Sequence, residues 1–457
     1  MTLTNTPWEQ LQVGQCAELE RLCVADDLFV FAHASGSMNP AHLPSPADAN
    51  GSGPIAPSMW VASVISAVVG NKLPGPGTLY RAQSLEFVGR VRAGDTLVAK
   101  VTVLDKMPDR IVRLETTARL QDGTEIARGY ADVIAPEFAQ SFDAATVPGL
   151  TVRKHAHFDR LLARAEALPP IPTAVVAPEE SSALEGALLG AAHTLITPIL
   201  IGRRDLIEAA AAAIGADISA HELIEAPTHD AAAAIGVDLV TKGRAQALMK
   251  GHLHTDALLH HVVKREGGLR TSRRLSHVYI MDVPGLQQFL LVTDAAINIA
   301  PDLETKVDIV QNAIDVARAI GITEPKVGIL SALETVNPKI PSTIDAAALA
   351  KMSERGQITG GIVDGPLALD NAVDVHSASK KGIKSLVAGR ADILVVPNLE
   401  AGNIVAKQLT FVAHAEAGGI VVGARCPIIL TSRSDDERAR LASCAVAALY
   451  DAWVRTQ

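Results

Sequence analysis

Apolar runs of strand length alternate with helical stretches from position 173 to the last residues of the chain. The clearest helical stretch is 304–320, where apolar residues recur at spacings of 3, 4 and 3 and Gly321 follows as the C′ residue. Such alternation is typical of a mostly parallel sheet covered by helices. Roughly 280 residues are many for one doubly wound sheet, so we expect two lobes with a cleft. The expected strands lie at 173–176, 198–201, 222–225, 278–281, 289–292, 327–330, 360–363 and 393–396.

Residues 1–140 have a different pattern. The apolar segment 58–69 predicts a buried helix, and strand-like runs follow it, the last two joined by the turn signal Asp122-Gly123. One buried helix followed by antiparallel strands is an α+β arrangement. A proline cluster ends at Pro172 and marks a domain edge, because proline lacks an N–H and restricts its predecessor. We therefore expect an α+β domain at 1–140, a linker at 141–172 and an α/β domain at 173–457.

The composition narrows the class of protein. The formal net charge is −9 and no basic block is present, which argues against nucleic acid or an anionic membrane as a partner. The four cysteines form no C-x-x-C pair, and the first ten residues lack the basic and apolar regions of a secretion signal. The sequence contains neither a P-loop nor a G-x-G-x-x-G motif after a strand, so kinases and NAD enzymes lose support. We expect a cytoplasmic enzyme with reduced thiols.

The segment 363–433 has the pattern expected of a ligand site. An apolar run stops at Pro397-Asn398 and a helical stretch follows, and the later run CPIIL turns polar at Thr431-Ser432-Arg433. Ser434 and Glu437 fit a capping box, which predicts that a helix begins there and offers free N–H groups to an anion. Arg433 adds a planar donor fork suited to phosphate. The alternative is an ordinary capped helix with a surface arginine.

Several blocks closely resemble the phosphate acetyl/butyryltransferase family, with a leaning towards the butyryltransferases. They are TDAAINIAPDLETKVDI (293–309), GILSALETVNPKIPSTIDAAALAKM (328–352), VDGPLALD, VAGRADILVVPNLEAGNI and CPIILTSR, and the likeness covers about 175–457. The resemblance implies two lobes like those of isocitrate dehydrogenase, with the active site between them. It also implies reversible transfer of an acyl group between CoA and inorganic phosphate, without a covalent acyl-enzyme. Acyl-CoA and phosphate would be substrates, no cofactor or metal would be needed, and we expect a homo-oligomer.

The same resemblance suggests catalytic roles. Ser432 would hydrogen-bond the thioester carbonyl or the CoA sulfur, and Arg433 would hold phosphate and balance charge in the tetrahedral state. The family's acetyltransferases carry a carboxylate seven residues after the serine, which would take the thiol proton. This sequence has Ala439 there, so Asp435 or Asp436 is the nearest candidate.

Substrate-binding residues follow from the resemblance as well. Gly402, Asn403 and Lys407 would help to bind CoA. In GLRTSRRLSH (268–277), Arg270 is the preferred partner of the phosphate groups, whereas a solvated loop is the alternative. The histidine-rich segment GHLHTDALLHH (251–261) lacks a nearby cysteine or H-E-x-x-H motif, which favours a solvated or substrate-adjacent cluster over a metal site. Thr255 is the expected N-cap of the helix that follows.

The first domain resembles a second family. SGSMNPAH (35–42) is similar to the SGD-x-NP-x-H motif of MaoC-type (R)-specific enoyl-CoA hydratases, which have the hotdog fold, and 72–97 is similar too. Asn39 and His42 match the motif, but the family's catalytic aspartate falls on Ser37, and serine cannot replace a carboxylate in proton transfer. Asp48 is nearby in sequence and could be offered as a substitute, but nothing in the sequence places it in the pocket. We expect an acyl-CoA-binding hotdog with impaired or lost hydratase activity; an active hydratase in a bifunctional chain, or a dimerising or docking module, are the alternatives.

Overall fold

The computed structural model describes residues 2–44, 53–147, 150, 152, 156–430 and 436–457. The chain divides into two compact units, Met1–Val152 and Arg153–Gln457. This division falls inside the region 141–172 that we expected to be a linker, so these residues are shared between the two units. No helix of the described ranges is both long and apolar enough to cross a bilayer.

The first unit is built on one antiparallel sheet and one buried helix. Its strands and helices are β1 (Thr2–Thr4), β2 (Cys16–Leu22), α1 (Ala25–Ser35), α2 (Ser58–Asn71), β3 (Leu79–Phe87), β4 (Thr96–Met107), β5 (Ile111–Leu120), β6 (Glu125–Ile134) and β7 (Ser141–Asp143). The sheet has the order β2-β4-β5-β6-β3, and β1 pairs with β7. The predicted buried helix and antiparallel strands are thus present.

Helix α2 supplies the core of this unit. Trp60, Val61, Val64, Ile65 and Val68 are buried along it and pack against the alternating apolar residues of β4 and β5. The helix is apolar on most sides because it lies in the interior rather than on a surface. Strand β3 is an edge of the sheet and is exposed over nearly its whole length.

The second unit alternates helices and strands as the sequence predicts. Its elements are α3 (Ala156–Glu166), β8 (Ile171–Val176), α4 (Ser181–Ala192), β9 (Ile196–Gly202), α5 (Arg204–Ile214), β10 (Glu222–Glu225), α6 (His229–Thr241), β11 (Ala247–Lys250), α7 (Thr255–Val262), β12 (Ser276–Asp282), β13 (Leu290–Thr293), α8 (Leu303–Ala319), β14 (Lys326–Leu330), α9 (Pro341–Glu354), β15 (Ile362–Leu367), α10 (Leu369–Val373), α11 (Val375–Lys380), β16 (Ile393–Val395), α12 (Leu399–Phe411), β17 (Glu416–Val422), β18 (Ile428–Ile429) and α13 (Glu437–Val454). The predicted helix at 304–320 is α8.

One sheet runs through the whole second unit, in the order β10-β9-β8-β11-β18-β17-β12-β13-β16-β14-β15. The strands from β10 to β18 are parallel to one another, and so are those from β13 to β15. Between these two blocks, β17 and β12 pair antiparallel with each other and with their outer neighbours. The two blocks therefore run in opposite directions.

Because the blocks are opposed, their carboxyl ends lie at opposite edges of the sheet. We call the edge where β8, β9, β11 and β18 end the first carboxyl edge, and the edge where β13, β14, β15 and β16 end the second carboxyl edge. Strand β12 connects them, and its seven residues put the edges roughly 20 Å apart.

The cores on the two faces of this sheet differ. One face carries a single apolar core that includes α3, α4, α8 and α13 and extends under both blocks. On the other face, α6 and α7 cover the first block, whereas α10, α11 and α12 cover the second, and their cores are separate. The expected two lobes are therefore visible as a division of one face, while the sheet itself is continuous. Likeness to isocitrate dehydrogenase stays a prediction.

Candidate active sites

A pair of acidic residues lies just beyond β8 at the first carboxyl edge. The Glu179 side chain is only 4% exposed, and its Oε1 accepts a hydrogen bond from the backbone N–H of Arg203 at 2.9 Å. Its Oε2 lies 2.9 Å from Nε2 of His229, the first residue of α6. Buried carboxylates are kept in proteins when they are paired and hydrogen-bonded, and Glu179 meets both conditions.

A second carboxylate–imidazole pair lies next to the first. His252 Nε2 is 2.9 Å from Glu180 Oε1, and the His252 backbone N–H donates to the Ala177 carbonyl at 2.6 Å. The rings of His229 and His252 are 5.9 Å apart, centroid to centroid. A carboxylate only accepts hydrogen bonds, so each neutral imidazole keeps its proton on Nε2 and its lone pair on Nδ1.

The predicted Ser432 and Arg433 follow β18, which ends at this same edge. Leu248 and Met249 of β11 pair with Ile428 and Ile429 of β18, so the chain reaches Leu430 level with Lys250. Positions 431–435 lie outside the described residues, and with them Ser432, Arg433, Ser434 and Asp435. Their roles stay predictions.

Asp436 begins the last helix. It is the N-cap of α13, and its Oδ1 accepts a hydrogen bond from the Ala439 N–H at 2.8 Å. The predicted capping box starting at Ser434 is wrong, because aspartate at 436 has the extended backbone and the short acceptor side chain that an N-cap needs. The Asp436 carboxylate is thus engaged by the helix terminus, which weakens its candidacy as the acceptor of a thiol proton.

Arg270 lies at the opposite edge of the sheet from Leu430. Its backbone forms a bridge with Ala424, in the connection between β17 and β18, and its side chain is exposed. The nearby Arg273 forms an ion pair with Asp315 on α8, with 2.5 Å between Nη1 and Oδ2. Arg270 is therefore placed at the second carboxyl edge, whereas the chain leaves the described range at Leu430 on the first.

The predicted CoA-binding residues lie on α12, which begins at the second carboxyl edge. A Cβ at Gly402 would approach the Asp294 carbonyl oxygen to 2.8 Å, so only glycine permits this close contact between α12 and the turn after β13. Asn403 is half-buried one residue further. Lys407 is exposed, with Nζ 5.9 Å from the centre of the Phe411 ring. Arg270 and Gly402 thus share one edge, and the described residues do not show the predicted residues as a single site.

Asp294 organises the second carboxyl edge and is not among the predicted site residues. Its Oδ1 accepts from the backbone N–H groups of Ala296 and Ile297, and its Oδ2 accepts from the N–H and side-chain amide of Asn298. Oδ1 also lies 3.3 Å from the His277 N–H. The carboxylate therefore holds the turn after β13 in place. The sequence signal is a lone aspartate directly after the apolar run LLVT.

His277 is buried beside Asp294 without the contacts of a charged group. Its Nδ1 has no hydrogen-bond partner in the described part of the chain, and its ring packs against Tyr279 at 4.2 Å between centroids. Burial lowers the pKa of His277 from 6.5 to about 4, and the Asp294 charge opposes that shift. His277 is therefore neutral in the folded protein at neutral pH.

This burial predicts a pH-dependent stability. The unfolded chain binds the His277 proton near pH 6.5 and the folded chain near 4, so the stabilisation present above pH 6.5 is lost as the pH falls towards 4. Between pH 7.5 and 5.5, the free energy of unfolding should fall by about 1 kcal/mol through this residue. Urea unfolding of wild type and His277→Gln at both values measures it. The exposed His376→Gln serves as control, and an unchanged pH dependence in His277→Gln would contradict the assignment.

The other histidines of the predicted cluster have separate surroundings. His261 is buried and its Nε2 lies 2.7 Å from Asp230 Oδ1, while His254 is the N-cap of α7. The prediction that Thr255 is the N-cap is wrong by one residue, since Thr255 already has helical geometry. Among the described residues no group of three or more His, Cys, Asp or Glu side chains is arranged to hold a metal ion.

The hydratase-like motif of the first unit lies between α1 and α2. Ser37 is exposed and follows Gly36, which ends α1 with a positive φ of 71°. Asn39 Oδ1 accepts from the Ala41 N–H at 3.1 Å, which fixes the turn leading to His42. His42 Nδ1 is 2.7 Å from the Ile55 carbonyl. A carbonyl only accepts, so the proton lies on Nδ1 and the Nε2 lone pair remains available as a base. Asp48 lies outside the described residues.

Family models match both parts of the chain. The model described as Phosphate acetyl/butaryl transferase matches residues 220–448, half of the chain. The model described as MaoC like domain matches residues 9–123. Both resemblances seen in the sequence are thereby confirmed, as is the fold class of a hotdog domain followed by an α/β transferase unit.

Individual relatives agree with the family models. The chain is 59% identical over 295 residues to the phosphate acetyltransferase of Rhizobium meliloti, covering 65% of this chain and 93% of that protein. It is 41% identical over 292 residues to the phosphate butyryltransferase of Clostridium acetobutylicum, covering 64% and 97%. The crystal structure of a branched-chain phosphotransacylase from Enterococcus faecalis V583 matches with a TM-score of 0.53 and 31% identity, covering 62% of this chain and 99% of that one. The chain therefore belongs to the phosphate acetyl/butyryltransferase family and carries a MaoC-like domain ahead of the transferase region.

Proposed function

We propose that the second unit catalyses reversible transfer of a short acyl group between CoA and inorganic phosphate, giving an acyl phosphate and free CoA. The observation that carries this proposal is the family match over residues 220–448. Acyl-CoA and phosphate are then the substrates, and the reaction needs no additional cofactor or metal. Both acetyl- and butyryltransferases are relatives, and the identity is higher to the acetyltransferase.

The first carboxyl edge carries positive groups that support phosphate binding there, beside the carboxylates of Glu179 and Glu180. Helices α4 and α7 begin just after β8 and β11, so their N-termini and partial positive charges lie at this edge. The Lys250 ammonium group is at the same place, bonded to the carbonyls of Gly251 and Leu253. We place phosphate here, with Arg433 as its main partner and Ser432 at the thioester carbonyl or sulfur. The direct transfer then proceeds through a tetrahedral state whose charge Arg433 balances.

The test is an assay of purified protein with a panel of acyl-CoAs from acetyl to hexanoyl. CoA release should depend on inorganic phosphate and should be saturable in both substrates, and acyl phosphate should be recovered in equal amount. Incubation without phosphate is the control for simple thioester hydrolysis. CoA release that is absent, or that is independent of phosphate across the whole panel, would overturn the proposal.

For the first unit we propose acyl-CoA binding with little hydration. The support is the His42 geometry, which leaves a base in place, together with Ser37 at the position of the expected carboxylate. An active hydratase or a docking module alone are the alternatives. Titration of the protein with a non-hydratable acyl-CoA detects binding, and assay with crotonyl-CoA separates binding from hydration.

We propose further that the protein is a homo-oligomer in the cytoplasm. Strand β3 supports self-association, because it is an open sheet edge with exposed apolar residues such as Leu79, Tyr80 and Phe87. All four cysteines are free, which fits a reducing compartment. Measuring the mass in solution of wild type and of Leu79→Lys tests whether the protein is a homo-oligomer. A monomeric wild type would contradict that proposal.

A further inference from the structure

The paired carboxylates and imidazoles at the first carboxyl edge call for a role that the family resemblance does not assign. We propose that His252, oriented by Glu180, takes the proton of the CoA thiol and returns it in the opposite direction. The inference rests on the proposed acyl transfer and adds to it the proton-carrying residue.

The reaction needs such a group. The thiolate, not the thiol, is the nucleophile that attacks an acyl phosphate. The position where the family's acetyltransferases carry the relevant carboxylate is Ala439, which lies in the first turn of α13. Asp436 is held by the Ala439 N–H. Asp435 lies outside the described residues, so the base proposed here comes from the described residues on the other elements that end at this edge.

His252 meets the geometric requirements of a base. Its backbone is fixed by the hydrogen bond to Ala177, and a Cβ at the preceding Gly251 would come within 2.2 Å of the Ala177 carbonyl oxygen, so the two segments are in close contact. Its ring is fixed by Glu180, the residue that precedes α4. The residue is thus held at its backbone and at Nε2, while about a third of its side chain stays exposed at the strand ends.

The ring of His252 also contacts a carboxylate of opposite charge. Glu180 of the α4 N-terminus stabilises a positive charge on His252, as a carboxylate does for the imidazole of a catalytic dyad. His229 of α6 lies beside it, but its own partner is the buried Glu179. Lys250, two residues before His252 at the end of β11, is a cation among the described residues, and its ammonium group donates to the carbonyls of Gly251 and Leu253. The charge change on His252 is therefore matched by the carboxylate that contacts it.

The proposed step is balanced. In the direction that consumes acyl phosphate, His252 Nδ1 accepts the thiol proton while the sulfur forms a bond to the acyl carbon. The bond from that carbon to the phosphate oxygen then breaks, and phosphate leaves with the electron pair. In the reverse direction phosphate attacks the thioester, the C–S bond breaks, and the imidazolium returns its proton to the departing thiolate. Nothing is oxidised or reduced.

His252→Ala tests the step. At pH 7 the variant should lose about 10²-fold in kcat with acyl phosphate and CoA, the lower end of the range for losing a general base. KM for both substrates should change little. As the pH rises from 7 to 9, a growing fraction of the CoA thiol ionises without the help of a base, and the thiolate is the nucleophile, so the defect should shrink. Glu180→Gln, a change in a positioning residue, should give a smaller loss with the same dependence on pH.

His193→Ala is the matched control. His193 forms the same kind of pair, with Nδ1 2.7 Å from Glu166 Oε1 and similar exposure, but it lies before β9 at the amino end of the strand. It should retain wild-type rates. Thermal unfolding of all variants shows whether they fold.

The outcomes separate this inference from the function on which it rests. Wild-type protein without acyl transfer would overturn the proposed function itself. Active wild type together with folded His252→Ala at the rate of His193→Ala would overturn only the role of His252. A loss in His252→Ala that is equal at pH 7 and pH 9 would also overturn it, because that result indicates a binding or structural role. An unfolded His252→Ala is replaced by His252→Gln, which keeps the hydrogen bond to Glu180 without a titrating base.

Discussion

Replacing Arg433 with alanine should lower kcat/KM for acyl transfer to phosphate by about 10²-fold or more, the scale of losing one donor that stabilises a transition state. The reason is that a guanidinium makes charge-assisted hydrogen bonds to a dianion, and alanine leaves that charge unbalanced. Initial rates with varied phosphate and acyl-CoA measure the effect. Arg455→Ala is a suitable control, since Arg455 pairs with Asp451 at the far end of α13.

Ser432→Ala refines this result. We expect the loss to lie mainly in kcat, with KM for phosphate little changed, because the serine is assigned to the thioester and not to phosphate. A change confined to KM for phosphate would indicate that Ser432 binds phosphate instead of the thioester. Wild-type kinetics in Arg433→Ala would contradict the assignment of Ser432 and Arg433 to the active site.

Crotonyl-CoA hydration by the wild-type protein should be about 10²–10⁴-fold slower than with a complete pair of acid and base, since one proton-transfer partner is missing. Ser37→Asp should raise hydration measurably, because it restores a carboxylate at the motif position. Ser37→Asn is the control of equal size without the charge and should restore nothing. His42→Ala combined with Ser37→Asp should abolish the gain, since the histidine is then missing.

Two results would decide against this view of the hotdog domain. Rapid hydration by the wild type, abolished by His42→Ala, would make the chain bifunctional. No gain in Ser37→Asp, with acyl-CoA binding also absent in titrations, would leave a docking or dimerising module. Binding without a gain would place the proton donor elsewhere in the pocket.

Periodic segments of the sequence were sufficient to predict most helices and strands of both units. Strand β17 is an exception, because Gly418 and Gly419 interrupt its apolar run. Both glycines are required by tertiary contacts. A Cβ at 418 would lie 2.7 Å from the Ala442 Cβ on α13, and one at 419 would lie 2.7 Å from His277 Cε1. Contacts between segments far apart in sequence produce no local periodicity, so a single sequence does not reveal them.

The candidate site was less predictable for a related reason. The motifs identify Arg270 and Gly402 individually, but their location depends on the direction in which β12 and β17 cross the centre of the sheet. That direction places these two residues at the second carboxyl edge and the pairs of His252 and His229 at the first. The acids that follow β8 were visible in the sequence as APEE. Their partners, however, come from α6 and the end of β11, which the chain brings together only on folding.

The position of β18 in the sheet also determines when this protein can finish folding during its synthesis. Strands β8 to β11 are translated early, yet the inner edge of that block pairs with β18, and β18 pairs with β17. Helix α13, made later still, covers α3, α4, α8 and β17 on the common core. Until β18 has been made, a nascent chain therefore presents an unpaired strand edge at β11, and until α13 has been made it presents an uncovered apolar face. Chaperones bind such surfaces, and aggregation starts from them.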